Sequence, residues 1–404
     1  MNCILIDPLS SKNFWPLCST RPVADLRIGI LKISEKWSQY LSSEVSHLCR
    51  PELNKLFPCI IGEENILISG NILPSENVII QIRSLNSGEL LVDHKNMIVA
   101  IKLNEKTCKD FIEHYYNDTL SEYLLKNKRV ILDEKTDSIE FVWHIFGKNG
   151  EELIKDYNLI TKNRVSQSIV SNNQFIGNHI FIEEGAKVQC SILNSSKGPI
   201  YIGKNAEVME GTVIRGPFAL CENAVLKISS KIYGPTTIGP NCKVGGEVNN
   251  SVIHSNSNKA HDGFLGNAVI GEWCNIGADT NNSNLKNTYS EVKLWSYTTN
   301  NFTKTGSIFC GLIMGDHAKC GINTMFNTGT VVGVGANVFG SGFPRQFIPD
   351  FAWGGASGFS TFKMQPFLET AKAVMSRRNV DLNSDQIDLL QVVFNQTSEY
   401  RNWE

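Results

Sequence analysis

The clearest chemical signal in the sequence is a histidine, His261, that lies among small and polar residues. It belongs to the segment Asn258-Lys-Ala-His-Asp-Gly-Phe-Leu-Gly266, with a lysine two residues before it and an aspartate directly after it. Histidine titrates near neutral pH, so it can act there as a general base. Backbone N–H groups of surrounding turns can stabilise a developing oxyanion. The alternative is a structural histidine that is hydrogen-bonded inside the fold.

The elements that must position His261 follow from a six-residue repeat. Aliphatic or similar residues recur at every sixth position in four runs: Ile176, Ile182 and Val188; Ile202, Val208, Ile214, Leu220, Leu226, Ile232, Ile238 and Val244; Phe264, Ile270 and Ile276; Ile308, Met314, Cys320, Phe326, Val332 and Val338. A period of six suits neither a helix nor an ordinary amphipathic strand. It predicts short strands, three to a triangular coil, whose repeating residue points into a shared core. The register breaks around His261 and again after Ile276, and loops that leave a rigid scaffold commonly carry functional sites.

The segments on either side of the repeats have other patterns. Residues 1 to about 165 predict a mixed α/β domain. Its predicted strands are Cys3–Asp7, Asn65–Ile68, Val78–Ile82, Glu89–Val92 and Met97–Leu103, and its predicted helices are Ile28–Tyr40 and Cys108–Lys126. Helical spacing returns at Gln365–Arg378 and Ser384–Tyr400. The predicted domains are therefore 1–165, 166–345 and 346–404.

Composition excludes several classes of protein. The chain has 404 residues, a formal net charge of −2 and 11 cysteines. The charge argues against a nucleic-acid surface, and the odd number of cysteines without CxxC pairs argues against a zinc site or a disulfide framework. We find no apolar run long enough for a membrane span and no signal peptide. We therefore expect a cytoplasmic protein without nucleic-acid or membrane partners.

The segment around His261 resembles the acetyltransferase half of the bifunctional N-acetylglucosamine-1-phosphate uridyltransferase/glucosamine-1-phosphate acetyltransferase family. That family carries a similar Lys-Ala-Gly-His run, followed by Asn-Ile-Gly-Ala-Gly-Thr, on a left-handed β-helix. The whole chain is similar to an alternative branch described as sugar nucleotidyltransferases, through Leu26-Arg-Ile-Gly-Ile30, Glu210-Gly-Thr-Val-Ile-Arg-Gly-Pro217 and Asn323-Thr-Met-Phe-Asn-Thr-Gly-Thr330. The resemblance implies a nucleotidyltransferase-like α/β domain, then a left-handed parallel β-helix of hexapeptide repeats, then C-terminal helices.

By this resemblance, site residues can be assigned in the second half of the chain. His261 falls on the catalytic base, Asn275 on an amino-sugar contact, and Asn284 on a coenzyme A contact. Gly340 is a further candidate to bind the acyl-CoA. The chain has Phe264, Tyr233 and Asn249 where the family has a tyrosine and two phosphate-binding cations. The candidates to replace those cations are Lys259, Arg215 and Lys227, and the alternative for Arg215 and Lys227 is that they are ordinary solvated cations.

The N-terminal domain departs further from the pyrophosphorylases that it resembles. Their opening glycine-rich loop, which holds nucleotide phosphates, is replaced here by Pro8-Leu-Ser-Ser-Lys-Asn-Phe14. Asn71, a poorer Mg²⁺ ligand, stands where they have a metal-binding aspartate. Arg21, Arg27 and Lys36 are candidates to bind the phosphates of a nucleoside triphosphate, and the alternative for Arg27 and Lys36 is that they are exposed helix charges. Mg²⁺ would be needed only if this domain is active.

The function that these residues favour is transfer of an acetyl or other short acyl group from acetyl-CoA or a related acyl-CoA. The acceptor would be an amino-sugar phosphate such as glucosamine-1-phosphate, in UDP-N-acetylglucosamine biosynthesis, and acyl transfer needs no metal. Two alternatives are a sugar-1-phosphate nucleotidyltransferase whose β-helix is a trimerising scaffold, and a non-catalytic sugar-nucleotide-binding protein. The resemblance also implies a homotrimer. Arg377-Arg378 is interpreted as a solvated helix face rather than a contact to coenzyme A.

Overall fold

The computed structural model describes residues 2–133, 136–168 and 172–403. Its internal contacts divide the chain into two compact units. The first comprises Met1–Ser11, Thr20–Leu26 and Leu31–Glu140, and the second comprises Lys12–Ser19, Arg27–Ile30 and Phe141–Glu404. The first unit thus ends before residue 165, and two short early segments belong to the second unit. The three-domain division stays a prediction.

The first unit is a mixed six-stranded sheet with helices. Its elements are β1 (Asn2–Ile6), α1 (Ile33–Leu41), β2 (Val45–Leu48), β3 (Glu64–Ser69), α2 (Glu76–Ser84), β4 (Glu89–Val92), β5 (Ile98–Asn104), α3 (Glu105–Tyr116), α4 (Leu120–Leu124) and β6 (Lys128–Ile131). The strand order is β2-β1-β3-β5-β4-β6. β1 lies parallel to both β2 and β3, whereas β5 runs antiparallel to β3 and β4. β1 is largely apolar because it lies between two other strands of the sheet.

Several elements of this unit differ from the sequence prediction. The segment Val78–Ile82 is helical, in α2, and not a strand. The Ser75 hydroxyl accepts a hydrogen bond from the Val78 N–H at 3.3 Å and caps that helix. Val78, Ile79 and Ile82 are buried on one side, which is helical spacing. α1 begins at Ile33 rather than at Ile28. The predicted helix Cys108–Lys126 is divided into α3 and α4, and β2 and β6 were not predicted.

The second unit contains a parallel β-solenoid of about 10 coils with three faces, which confirms the predicted fold class and fits a left-handed β-helix. Face 1 contains Ile180–Ile182, Ile200–Ile202, Phe218–Leu220, Thr236–Ile238, Val252–Ile253, Val269–Ile270, Leu312–Met314, Thr330–Val332 and Phe347–Ile348. Face 2 contains Lys187–Val188, Glu207–Val208, Val225–Leu226, Lys243–Val244, Asn258–Lys259, Asn275–Ile276, Lys319–Cys320, Asn337–Val338, Ala352–Gly355 and Gly358–Thr361. Face 3 contains Gln174–Ile176, Ile192–Asn194, Val213–Arg215, Lys231–Tyr233, Glu247–Asn249 and Phe264–Gly266, and the pair Asn281–Asn282 and Met325–Phe326 follows it.

The six-residue repeat forms the core of the solenoid as predicted. All eight residues of the run from Ile202 to Val244 are buried, and so are the residues from Met314 to Val338 in the last run. Three positions of the repeat were predicted wrongly. Ile176 and Ile308 are exposed, and Leu265 rather than Phe264 is buried on its strand. Near a break the local loop, and not the repeat, decides which side chain faces inward.

Helices and one hairpin complete the second unit. α5 (Trp143–Thr161) packs against face 1, where the Asn149 carboxamide accepts a hydrogen bond from the Gly29 N–H at 2.8 Å. Between residues 283 and 311 the chain leaves the solenoid and forms the hairpin Lys293–Ser296/Asn301–Lys304. The predicted C-terminal helices are confirmed as α6 (Met364–Ser376) and α7 (Ser384–Gln396). Within the described part of the chain, none of the helices has the length and apolarity that a membrane crossing needs.

Candidate functional site

His261 lies on an exposed corner of the solenoid, between the face 2 strand Asn258–Lys259 and the face 3 strand Phe264–Gly266. The corner is stacked tightly on the coil before it. A Cβ at Gly246, where φ is +73°, would lie 2.9 Å from Asp262 Cα and 3.0 Å from the His261 carbonyl oxygen. Glycine is therefore required at 246. The close packing fixes the backbone of the turn and leaves the imidazole facing outward.

A buried lysine holds this corner from inside. Lys259 occupies a core position of the repeat, paired in register with Val244, and it is only 2% exposed. Its Nζ donates to the Gly245 carbonyl at 3.0 Å and to the His261 carbonyl at 2.7 Å. Burial lowers the pKa of Lys259 to about 8, partly offset by the nearby Asp262 carboxylate. This placement favours a role in holding the backbone over the predicted binding of a substrate phosphate, because the ammonium faces inward and is bonded to two carbonyls.

Phe264 and Asn284 meet at Gly266, on the face 3 strand that follows His261. The Phe264 N–H donates to Asn281 Oδ1 at 2.8 Å, and Asn284 Nδ2 donates to Asn267 Oδ1 at 2.8 Å. A Cβ at Gly266 would meet the Phe264 ring at 2.5 Å and Asn284 Nδ2 at 2.9 Å. The structure thus brings the predicted coenzyme A contact to the face 3 side of His261. The role of Asn284 stays a prediction.

Asn275 lies on face 2, paired in register with Asn258 on one side and Lys319 on the other. Its exposed side chain lines a cavity of about 340 Å³ between face 2 and the end of α6. Asn258, another lining residue, precedes His261 by three residues, so their Cα atoms are at most about 11 Å apart. The predicted sugar contact is therefore near the His261 corner, on its face 2 side.

The three remaining candidates of the solenoid are more distant from His261. Lys227 and Gly340 lie at the same corner, but two coils before and three coils after His261, which is about 10 and 14 Å along the axis at about 4.8 Å per coil. Arg215 is exposed on face 3, three strands before Gly266. The residues paired in register with Arg215 on the next two strands are Tyr233 and Asn249, and neither is a cation.

The predicted nucleotide-binding cations are buried rather than exposed. Arg21 pairs with Asp25 at 3.2 Å, and Lys36 is 1% exposed. Arg27 belongs to the second unit and donates to the Ile30 carbonyl. Neither the predicted role in binding phosphate nor the alternative of exposed helix charges fits these placements, because the cations are enclosed inside the protein.

Asn71 also fits poorly as a metal ligand. Its Oδ1 accepts from the Ser69 hydroxyl at 2.8 Å, and its Nδ2 donates to the Ile139 carbonyl at 2.8 Å. Within residues 2–133, 136–168 and 172–403 we find no group of three or more His, Cys, Asp or Glu side chains that could hold a metal. These contacts give the Asn71 amide a structural role.

The sequence analysis did not identify Asp7, which directly follows β1. The next two strands of the chain, β2 and β3, lie on opposite sides of β1, so the strand order reverses at this point. Ligands of α/β sheets commonly bind at this edge. Asp7 is buried and its Oδ1 accepts from the Val23 N–H at 2.7 Å. Burial raises the pKa of Asp7 to about 7. A lone aspartate directly after an apolar strand was the available signal.

An aromatic cavity of about 600 Å³ was also missed. It lies between the hairpin that leaves the solenoid and the C-terminal residues. Trp295 stacks on Phe347 with ring centroids 4.2 Å apart, and the Tyr400 hydroxyl donates to Asn300 Oδ1 at 2.9 Å. The residues come from segments about 100 positions apart, so no local sequence pattern predicts the cavity.

Comparison with known proteins separates the two parts of the chain. Residues 3–165 match the family model described as sugar nucleotidyl transferase. The match spans less than half of the chain, and it supports a transferase role in sugar-nucleotide biosynthesis for that part. Membership of the bifunctional family stays a prediction.

One solved structure with detectable similarity is the Arabidopsis UDP-N-acetylglucosamine acyltransferase. The alignment has 15% identity and a TM-score of 0.23, and it covers 57% of this chain and 91% of that one. None of the curated proteins compared with the sequence is a significant match.

Proposed function

We propose that this protein transfers a short acyl group from an acyl-CoA to the amine of an amino-sugar phosphate. The observation that carries the proposal is the His261 corner, where an outward-facing histidine lies on a backbone held by Lys259. A general base must reach its substrate from a fixed position, and a stacked β-helix corner provides one. Asn275 lies on the face 2 side of this corner and Asn284 on its face 3 side, and the proposal takes them as the sugar contact and the coenzyme A contact.

In the proposed reaction the amine nitrogen attacks the thioester carbonyl while His261 removes its proton. The N–C bond forms, the C–S bond breaks, and the proton is passed to the leaving thiolate. Outward N–H groups of the coil corners are candidates to stabilise the oxyanion. A homotrimer, in which a neighbouring subunit would complete the cleft, is part of the proposal.

The test is release of coenzyme A thiol from acetyl-CoA with glucosamine-1-phosphate as acceptor. Glucose-1-phosphate is the matched control, because it keeps the phosphate and lacks the amine. We expect thiol release with the first acceptor and only background hydrolysis with the second. Equal rates with both acceptors would eliminate N-acyl transfer.

A second candidate function is sugar-1-phosphate nucleotidyl transfer by residues 3–165, which the family match favours. The absent glycine loop, the buried Arg21 and Lys36, and the engaged Asn71 amide all argue for a slow or absent reaction. Mg²⁺-dependent release of pyrophosphate from UTP and a sugar-1-phosphate would support this candidate. Binding of both compounds without turnover would support a non-catalytic role.

A further inference from the structure

Face 2 carries a strongly cationic cleft that the reaction proposed above does not explain. The cavity of about 340 Å³ next to α6 is lined by four cationic residues, Lys243, Lys319, Arg377 and Arg378. This concentration is notable because the chain as a whole has a formal net charge of −2. Arg377 is exposed, as the interpretation of a solvated helix face expects, and both arginines also line this cleft.

The cleft is built from elements distant in sequence. The lysines belong to strands of face 2, and the arginines follow the last turn of α6. Arg378 is positioned by its Nη2, which donates to Asn258 Oδ1 at 2.9 Å. Lys319 is positioned by its Nζ, which donates to the His317 carbonyl at 2.9 Å. Fixed cations recognise an anion better than flexible ones, because less side-chain entropy is lost on binding.

The polar neighbours of the cations suit an anion that also carries hydroxyl groups. Asn258 and Asn275 contribute carboxamides to the lining, and none of the lining residues that the structure describes is a carboxylate. The acidic Glu272 and Asp316 lie near the buried thiols Cys242 and Cys274 behind the cleft. Burial lowers the pKa of Lys319, and a bound anion would favour its charged form.

We propose that this cleft is a binding site for a phosphate group of a small phosphorylated ligand. The inference rests on the proposed acyl transfer for the identity of the ligand, which is the amino-sugar phosphate or the phosphates of the acyl-CoA. Both carry the same dianionic group, and arginine binds it through paired charge-assisted hydrogen bonds. A phosphate held here lies near the His261 corner, because Asn258, which lines the cleft, precedes His261 by three residues.

The test is calorimetric binding with three probes: glucosamine-1-phosphate, coenzyme A and 3′-dephospho-coenzyme A. The variants are Arg378→Ala and Lys243→Ala. Lys372→Ala is the matched control, because Lys372 is exposed on α6 and does not line the cleft. We expect both cleft variants to weaken binding of a phosphorylated probe about 10- to 100-fold, and the control to have no effect. Lys243→Ala keeps the test valid if loss of the Arg378–Asn258 bond disturbs α6.

The probes distinguish the two sources of phosphate. Weaker binding of glucosamine-1-phosphate alone assigns the cleft to the acceptor. A preference for coenzyme A over its dephospho form that disappears in Arg378→Ala assigns it to the 3′-phosphate. Unchanged affinity for every probe in both cleft variants, or no binding by the wild type, would overturn the proposal. Binding without thiol release would contradict acyl transfer and leave the phosphate site standing.

Discussion

At the scale of single residues, the interior of the solenoid contains a lysine at an inward position of the repeat, next to the predicted catalytic base. Lys259 takes a place that the repeat fills with aliphatic side chains, and its ammonium binds the carbonyls of Gly245 and His261. An uncompensated buried charge is costly, so the hydrogen bonds to the backbone must offset part of its desolvation. We interpret Lys259 as a positioning residue for the corner and not as a substrate ligand.

His261→Ala should slow acyl transfer about 10²- to 10⁴-fold, because a general base contributes on that scale. The loss should be in kcat more than in KM, since the base acts in the transition state. His179, which is also exposed on the solenoid, provides the control variant His179→Ala. A His261→Ala enzyme that melts normally and keeps the wild-type kcat would remove His261 from the mechanism.

Lys259 should contribute to the pH dependence of the free energy of unfolding. Its pKa is about 8 in the folded protein and near 10.5 when unfolded, so between these values the unfolded chain binds more protons. The free energy of unfolding should therefore gain a positive slope from this group as pH rises from about 8 to 10.5. Lys259→Met should lose that contribution, whereas the exposed-lysine control Lys231→Met should keep it. Denaturant unfolding at several pH values measures both, and identical slopes in the two variants would contradict the assignment.

At the scale of elements, the regular part of the solenoid could be predicted from the sequence, whereas its edges could not. The run from Ile202 to Val244 gave the correct inward residues because every coil repeats the same environment. The prediction for Ile308 was wrong because the chain is outside the solenoid there. The prediction for Val78–Ile82 was wrong because a short apolar run is compatible with either a helix or a strand. The cationic cleft was not predictable, since its residues meet only through the packing of α6 on face 2.

The register of the core has a direct test. Ile214 is fully buried, and its neighbour Val213 is 38% exposed on the same strand. Burying an aliphatic side chain of this kind is worth roughly 1.5–3 kcal/mol, and a buried carboxylate adds a desolvation cost. Ile214→Asp should abolish the cooperative thermal transition followed by circular dichroism, whereas Val213→Asp should shift it little. A stable Ile214→Asp protein would mean that the repeat register is wrong.

At the scale of the whole molecule, a unit that matches sugar nucleotidyl transferases is joined to a β-solenoid with a histidine at one of its corners. The two units differ in how well their predicted sites fit the structure. The predicted cations of the N-terminal part are buried, whereas His261 is exposed and Asn275 and Asn284 lie on the face 2 and face 3 sides of its corner. This contrast is the reason for placing the chemistry on the solenoid.

The most direct test of that placement is one incubation of the full chain with acetyl-CoA, glucosamine-1-phosphate, UTP and Mg²⁺, followed by mass spectrometry of the products. We predict N-acetylglucosamine-1-phosphate and free coenzyme A in equal amounts, formed faster than any UDP-sugar. Formation of UDP-glucosamine and pyrophosphate, with acetyl-CoA and the amine unchanged, would contradict the proposed function and place the activity in residues 3–165.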